Sequence, residues 1–501
     1  MSKLLIRDAT VVTLNPADEI LTPGDVVIDG DRLAYVGPPD PARRAERYDQ
    51  VIDGARLVAM PGLVNAHTHT YSGLFAGSFE RLPLDIWRLR MRAPIQRLSG
   101  EQLYLSTLFA CAQMLRTGTT TCLDHYFASP TLPYAGMEHE VRAMEVVGIR
   151  AAVAYILADL PWEDTLPLAE SELARVQAAA DWVTAQETAQ SLDAYEGFLA
   201  EFGHRHPRIT CLVGPSAVHR LSEGLFRGCR RLADQYGVGM HLHVGEAKAH
   251  AVQCRRHFGT TLVGRLEQLE VLRDDVSMAH CVWLTDPELD AVARADATIV
   301  HNPASNLKLG SGVARVRAML ERGVRVALGT DSATSNDNLN MWESLRWAGL
   351  LHTSNQVDYC DWPTARQVLR MGTVASARAC GLQDQVGSLE AGKRADLVLL
   401  TRDSYHLAAD NNLPVQLVYC ENGASIDSVY VDGQLVVHGG KLLTIDEDAL
   451  FREVGLTRDA LEEGFAAEVA RAAELEGPLR EMYFRLMGES VDGLSPSAPF
   501  H

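Results

Sequence analysis

The chain has 501 residues, which is long for a simple single domain and fits a barrel accompanied by a smaller domain. Its formal net charge is −19, so its surface lacks the basic footprint that a nucleic acid or an anionic membrane requires. The nine cysteines are scattered and form no C-x-x-C pair, which predicts reduced thiols. Without an apolar leader or a membrane-spanning apolar run, we expect a cytoplasmic protein.

Both ends of the chain contain short strands. In the N-terminal segment the β-prone runs are 4–14, 25–28 and 33–36, separated by Asn-Pro, Asp-Gly and Gly-Pro turn signals. A second β-rich stretch follows the middle of the chain and contains GSLEAGKRADLVLL. We therefore expect one small β-sandwich domain built from residues 1–58 and 382–440.

The middle of the chain, residues 59–381, alternates strands and helices. The candidate strands are 57–66, 119–124, 150–156, 209–214, 239–244, 276–280, 297–301 and 324–329. The helical patterns between them include 99–116 with a Ser99/Gln102 capping box, 222–236 ending before Gly237, and 286–295 capped by Thr285. Eight strands with intervening helices predict a (β/α)₈ TIM-like barrel. A doubly wound sheet is the alternative, but no strand precedes a G-x-G-x-x-G loop.

Two helical segments are added to this pattern. Residues 163–201 form an Ala- and Glu-rich insertion between the third and fourth barrel strands, where insertions commonly shape a barrel mouth or a subunit contact. Residues 441–501 are predicted to form a helical tail with a frayed end, SPSAPFH.

His67 and His69 form an H-x-H pair at the end of the first predicted barrel strand. Residues i and i+2 of a strand point to the same side, so both imidazoles should project together. The carboxyl end of a barrel strand is where barrel active sites form. Paired imidazoles suit a divalent metal of borderline softness.

Other titratable residues also fall at predicted strand ends. His243, His280 and His301 end strands five, six and seven, and Asp331 follows strand eight. Each of them alone could be a hydrogen-bonded core or loop residue. Burying several polar groups together without partners is unfavourable, so their convergence at one barrel mouth predicts a metal site.

Glu246 and His241 lie close to His243 in the sequence. Glu246, three residues after His243, is placed to shuttle a proton beside an activated water; the alternative is a solvated loop acid. His241 shares the strand face of His243 and could be the ligand instead. We assign His241 to a deeper layer, because Glu246 should share a loop with the liganding residue.

Six sequence motifs together resemble a known family. They are PGLVNAHTH, GTTTCLDH, HLHVGE, MAHC, HNPASNLKLGSG and GTDSATSNDNLNMWE. They resemble the amidohydrolase superfamily, and within it the chlorohydrolase branch of triazine hydrolases and of nucleoside, guanine and cytosine deaminases. The resemblance extends from about residue 3 to about residue 445 and includes GSLEAGKRADLVLL.

The resemblance implies a role for each matching residue. The implied metal ligands are His67, His69, His243 and Asp331, and the implied catalytic residues are Glu246 as proton shuttle, His280 as orienter of the attacking water and Asp331 as acceptor of a proton from that water. The implied reaction is a hydrolytic deamination, in which an activated water adds to a ring carbon and ammonia departs. Loss of chloride or an alkylamine, or cleavage of a urea-like bond, is the alternative. A non-catalytic scaffold is disfavoured because no ligand is missing.

The lysine content limits the number of metal ions. Many relatives bridge two metals with a carboxylated lysine after the fourth strand, but this chain has no lysine between Lys3 and Lys248. We therefore predict one divalent metal per subunit. Zinc suits three imidazoles and a carboxylate best, and ferrous iron is the alternative. The resemblance also implies a homodimer or a higher homo-oligomer.

Two departures from the family bear on the small-molecule substrate. Gln96, in APIQRLS, stands where adenosine-type deaminases have a ribose-binding acid, and residues 215–219 read PSAVH instead of P-H-A-P-Y. Both departures favour a free base, a triazine-like ring or another N-heterocycle over a ribonucleoside or S-adenosylhomocysteine. The candidate substrate contacts are Trp87, Gln96, His125, His219, Asn302 and Asn306. Each of them has a structural alternative, such as a core position for Trp87 or a turn-forming role for the asparagines.

Overall fold

The computed structural model describes residues 3–95, 98–126, 135–179, 188–203, 205–353, 358–473 and 475–491. Gln96, part of the predicted helical insertion and the predicted frayed end therefore lie outside the described residues. A search of the described helices for a span both long and apolar enough to cross a membrane found none.

The strands are β1 Lys3–Val12, β2 Ile20–Asp29, β3 Arg32–Gly37, β4 Gln50–Asp53, β5 Leu57–Pro61, β6 Leu63–His69, β7 Thr119–Tyr126, β8 Arg150–Leu157, β9 Ile209–Pro215, β10 Met240–Val244, β11 Val276–His280, β12 Thr298–His301, β13 Arg325–Leu328, β14 Asp331–Ser332, β15 Leu397–Thr401, β16 Ile426–Val431, β17 Gln434–His438 and β18 Lys441–Leu442.

The α-helices are α1 Pro41–Arg44, α2 Leu84–Ile95, α3 Gly100–Arg116, α4 Ala135–Val147, α5 Glu170–Ala179, α6 Thr188–Phe202, α7 Glu223–Tyr236, α8 Lys248–Phe258, α9 Leu262–Gln268, α10 Asp286–Arg294, α11 Pro303–Lys308, α12 Val316–Glu321, α13 Met341–Leu350, α14 Ala365–Arg370, α15 Ser376–Ala379, α16 Leu413–Tyr419, α17 Glu447–Ala473 and α18 Glu476–Met487.

Strands β6 to β13 form the predicted parallel barrel. Each pairs with the next in chain order, and β14, which follows β13, pairs with β6 through Asp331 and Thr68. This pairing closes the ring, so the (β/α)₈ prediction is confirmed and the doubly wound open sheet is excluded. The carboxyl ends of the strands meet at one mouth, where His69, Pro215, Val244 and His280 end their strands.

The predicted helix caps are present in the structure. The Ser99 side chain accepts a hydrogen bond from the Gln102 backbone, and the Gln102 side chain accepts one from the Ser99 backbone. Ser222 caps α7, which ends at Gly237 in the left-handed conformation that glycine adopts without strain. Local sequence thus determines where these barrel helices begin and end.

The first predicted strand, 57–66, is divided in the structure. β5 ends at Pro61 and β6 begins at Leu63, because Pro61 has no N–H to continue a ladder. Gly62 separates them, and a Cβ there would lie 2.0 Å from Thr120 Oγ1. The chain therefore leaves one sheet at β5 and enters the barrel at β6.

The strands from both ends of the chain pair in a second, mixed sheet. Its order is β18-β17-β16-β15-β5-β1-β2-β3, with β4 beside β1. The pairing of β15 with β5 and of β5 with β1 joins the two ends, as predicted. Its own apolar core includes Ile6, Val26 and Leu397. The domain limits at residues 58, 381 and 440 stay predictions.

The tail helices pack against α2, the helix that follows the first barrel strand, and α18 links the insertion helix α5 to them. The predicted insertion contains α5 and α6, and the predicted tail contains α17 and α18, although Lys441–Leu442 first pairs with β17. α17 and α18 contact α2, and α18 also contacts α5, where Arg485 donates to Glu172 at 2.8 Å. The additions therefore support α2 at the barrel mouth.

Candidate metal centre and substrate cavity

The four predicted ligands lie close together, three of them where β6 pairs with β14 and His243 on β10. The Nε2 atoms of His67 and His69 each lie 3.3 Å from Asp331 Oδ1, and His243 Nε2 lies 3.4 Å from His69 Nε2. Neighbouring strands bring these residues together, since His67 and His69 are on β6 and Asp331 begins β14. Asp331 has a φ of 63°, a left-handed conformation that is unfavourable for a non-glycine residue and is common at functional sites.

The ligand atoms of the imidazoles are oriented by backbone carbonyls. His69 Nδ1 donates to the His125 carbonyl at 2.6 Å, and His243 Nδ1 donates to the Ser216 carbonyl at 2.7 Å. These bonds place the proton on Nδ1 and leave Nε2 as the electron-pair donor. Asp331 Oδ2 accepts hydrogen bonds from Ser305 at 2.5 Å and from Ser335 at 3.1 Å, which leaves Oδ1 facing the histidines.

The buried donor set fits a divalent metal ion. His67 Nε2 is buried, and among the described residues no partner with hydrogen-bond geometry reaches it. Burial lowers the pKa of His67 to about 3, so that imidazole is neutral. Although burial opposes it, the neighbouring imidazoles of His67 and His69 hold the pKa of Asp331 well below its usual range. The neutral imidazole of His67 and the ionised carboxylate of Asp331 are the ligand forms that a metal requires.

His125 offers an alternative geometry at the same place. Ligand atoms of His67, His125 and His243 lie within 4.8 Å of one another, as do those of His67, His69 and Asp331. The His125 ring stacks on His243, with centroids 4.8 Å apart. The second set contains the carboxylate and matches the predicted ligands. In the first set His125 lies beside the metal ligands, whereas the sequence predicted it as a substrate contact.

Glu246 and His280 lie next to this centre. His280 Nε2 is 3.8 Å from Glu246 Oε1, and ligand atoms of Glu246, His280 and Asp331 lie within 4.8 Å of one another. Burial and the charge of Asp331 raise the pKa of Glu246 well above its usual range. This shift favours the protonated form of Glu246 beside the cavity that a substrate can reach.

The two asparagines predicted as substrate contacts lie behind His280. Asn306 Oδ1 is 2.9 Å from His280 Nδ1, and Asn302 Nδ2 is 3.4 Å from the same atom. Their contacts orient the His280 ring. His301, which also ends a barrel strand, lies apart from the centre, since its Nε2 is 3.3 Å from His352 Nε2.

A cavity opens onto the centre and is lined by His69, His243, Glu246, His280 and Asp331. Two predicted substrate contacts, Trp87 and His219, line it, and the Trp87 indole N–H donates to the Thr334 carbonyl at 3.2 Å. Sequence reasoning missed three basic lining residues, Arg88, Arg220 and His250. Their positions gave a clue, because Arg88 and Arg220 directly follow Trp87 and His219, and His250 lies four residues after Glu246.

A closed parallel barrel with buried imidazoles and a carboxylate at the carboxyl ends of its strands defines a metal-dependent hydrolase. The more particular assignment comes from comparison with known proteins. Residues 58–436 match the amidohydrolase family, and the chain belongs to it.

Two curated relatives cover nearly the whole chain. A 5-methylthioadenosine/S-adenosylhomocysteine deaminase of Desulforudis audaxviator is 35% identical over 456 residues, which cover 91% of this chain and 98% of the relative. A 5′-deoxyadenosine deaminase of Methanosarcina barkeri is 34% identical over 455 residues, covering 90% of this chain and 97% of the relative.

A solved structure shares the same fold. The adenosine deaminase of Xanthomonas campestris, which has bound zinc, superposes with a TM-score of 0.81 at 27% identity. The match covers 92% of this chain and 98% of that one. Together with the His/Asp metal site, these comparisons make the chain a metal-dependent deaminase that acts on C–N bonds, which confirms the predicted reaction class.

Proposed function

We propose that the protein is a mononuclear zinc aminohydrolase that removes the ring amino group of an adenine nucleoside or a closely similar aminopurine nucleoside. The observation that carries this proposal is the grouping of Glu246, His280 and Asp331 around one point at the floor of a cavity. The relatives that cover nine-tenths of the chain are named for adenosine-derived substrates. Their similarity favours the nucleoside members of the substrate class over the free base or triazine suggested by Gln96 and Ser216.

The residues that would hold the zinc ion are His67, His69, His243 and Asp331. Support comes from the buried, unpartnered His67 Nε2 and from the backbone bonds that turn the other two Nε2 atoms inward. When bound, zinc would lower the pKa of a water molecule toward neutrality. The lack of any lysine between Lys3 and Lys248 supports a single ion.

The proton transfers are assigned to side chains of the chain itself. Asp331, whose pKa is held low, would accept a proton from the attacking water. Glu246, whose pKa is raised by burial, would deliver a proton to the ring nitrogen beside the reacting carbon. His280 would orient the water through Nε2, because Asn306 holds its Nδ1. The proton taken by Asp331 would then pass to the amino nitrogen, and ammonia would leave as the C–N bond breaks. The added hydroxyl would lose its remaining proton to Glu246 as the ring carbonyl forms, which restores both carboxyl groups.

Ammonia release tests this proposal directly. Purified protein reconstituted with zinc would be assayed with adenosine, 5′-deoxyadenosine, adenine, guanine and an amino-triazine, with Glu246→Gln as the inactive control. We expect turnover of the nucleosides and one metal ion per chain. Turnover confined to the free bases or the triazine, or release of chloride or alkylamine instead of ammonia, would contradict the nucleoside assignment.

A further inference from the structure

One wall of the cavity is basic, although the chain as a whole has a net charge of −19. The wall contains Arg88 of α2, His219 and Arg220 of the turn after β9, and His250 of α8. The rings of His219 and His250 are stacked, with centroids 4.1 Å apart. Arg220 donates to Ser216 Oγ at 2.8 Å, which fixes its guanidinium at the same wall.

Several hydrogen-bonding atoms of this wall have no protein partner. Arg88 Nη2, His219 Nε2 and both ring nitrogens of His250 are buried, and none of them has a hydrogen-bond partner among the described residues. Leaving a buried donor unsatisfied costs about 1–3 kcal/mol per group, and more if the group is charged. Arg88 Nη2 can only donate, and each neutral imidazole has one donor and one acceptor nitrogen, so such a cluster in a substrate cavity indicates that a bound molecule supplies the missing partners.

The nearby carboxyl groups only partly balance the positive charge. Asp85, one helical turn before Arg88, interacts with both Arg88 and Arg220, and burial raises its pKa to about 6. Glu246 also lies near Arg88, and burial raises its pKa well above the usual range. Burial thus disfavours the charged form of both carboxyl groups, so they only partly offset the positive charge of Arg88 and Arg220.

We propose that Arg88, with Arg220 and His250, binds an anionic substituent of the substrate, so that the preferred substrates are amino-substituted purines that carry a carboxylate or a phosphate. This inference rests on the proposed function, because it names the substrate class of the same site. A guanidinium pairs with either group through two parallel N–H···O bonds, which also fixes the orientation of the ligand. Anchoring the substituent at this wall would hold the ring amino group toward Glu246.

A matched pair of substrates isolates the effect of a negative charge on kcat/KM. Adenosine 5′-carboxylate and adenosine 5′-carboxamide have nearly the same shape and differ by one negative charge. We expect kcat/KM for the carboxylate to exceed that for the carboxamide by about tenfold or more, as a charge-assisted hydrogen bond predicts. Adenosine 5′-phosphate is the third arm, and a larger preference for it would assign the wall to phosphate.

Substitutions then test which residues cause the preference for anionic substrates. Arg88→Gln should lower kcat/KM for the anionic substrates by about tenfold and leave the carboxamide nearly unchanged. His250→Gln should also lower kcat/KM for the anionic substrates relative to the carboxamide. It replaces Arg88→Gln as the test if that variant fails to fold. Arg227→Gln is the matched control, because Arg227 pairs with Glu223 on the exposed face of α7. If Arg88→Gln slows all three substrates equally, Arg88 only adjusts Glu246 and the inference is wrong.

Binding separates this inference from the proposed function. In zinc-loaded Glu246→Gln, which should bind without turnover, calorimetry would compare the carboxylate with the carboxamide. Tighter carboxylate binding that is lost on adding Arg88→Gln supports the anion site even if the parent protein deaminates no nucleoside. Equal binding of the two compounds, together with measurable deamination of adenosine, would overturn the anion site while the proposed function stands.

Discussion

His67 Nδ1 and His241 Nε2 lie 2.8 Å apart in the interior of the barrel. His241 Nδ1 lies 2.7 Å from Ser277 Oγ, whose hydroxyl donates to the Met240 carbonyl at 3.4 Å. Burial keeps the pKa of His241 well below its usual range, so this ring is neutral and can accept from His67. The chain of bonds keeps the His67 proton on Nδ1 and leaves Nε2 facing Asp331, and it places His241 in the deeper layer expected from the sequence.

Removal of His241 should therefore weaken metal binding without removing a ligand. Loss of an outer partner of a metal-ligating histidine typically lowers metal affinity about 10–100-fold. We expect His241→Ala to bind zinc less tightly by this factor in a competition titration with a chelator. His438→Ala is the control, since His438 is exposed on β17. Unchanged affinity in His241→Ala would show that this contact does not orient His67.

The two overlapping ligand sets predict different outcomes for His69 and His125. If His67, His69 and Asp331 hold the ion, His69→Ala should lose it, while His125→Asn should retain about one ion per chain. Metal analysis of the two purified variants by mass spectrometry distinguishes the sets. The reverse pattern would transfer the ligand role to the group formed by His67, His125 and His243.

Glu246→Gln should separate metal binding from catalysis. The substitution keeps the size of the side chain but removes the proton that the raised pKa of Glu246 holds in place. General acid–base groups contribute about 10²–10⁴-fold to rate, so we expect a loss of that order in kcat with normal metal content. A variant that kept most of its turnover would exclude Glu246 as the proton shuttle.

Residues at strand ends could be predicted because strand geometry relates sequence to space. His67, His69, His243, His280 and Asp331 follow apolar strands, and parallel strands place their carboxyl ends at one mouth. The same rule included His301, which instead contacts His352. The sequence predicts that a residue lies at the end of a strand. It does not predict whether the side chain points into the mouth or outward to the surrounding helices.

The basic wall could not be predicted, because it joins elements that are distant in the chain. Arg88 is on α2, Arg220 follows β9 and His250 is on α8, and each would suit an ordinary polar helix or loop position. They come together through the packing of helices, and no periodic pattern in the sequence predicts that packing. Asn302 and Asn306 were predicted as substrate contacts but contact His280 instead, because the direction of a side-chain amide could not be predicted from the sequence.

His352 should make the protein less stable in acid. Burial lowers its pKa to about 4 from an unfolded value of 6.5, so the unfolded chain binds the proton first. Protonation of His352 therefore leaves the free energy of unfolding unchanged above pH 6.5. As the pH falls toward 4, that free energy decreases, by about 2 kcal/mol at pH 5. Urea unfolding at pH 7 and pH 5 should show a smaller loss for His352→Gln than for the parent. Equal losses in the two proteins would contradict this assignment.

Arg150 connects the barrel to the mixed sheet through a buried ion-pair network. Its guanidinium donates to Asp396 at 2.8 and 3.0 Å and to Asp432, and its side chain is only 1% exposed. Arg150→Met would leave Asp396 without its buried counter-ion, which typically costs about 3–5 kcal/mol, whereas Asp432 would keep Arg208. The exposed pair of Arg56 and Asp403 also joins distant segments, and Arg56→Met should cost no more than about 1 kcal/mol. Denaturant unfolding of the two variants tests the contrast, and equal costs would mean that burial adds nothing to the network.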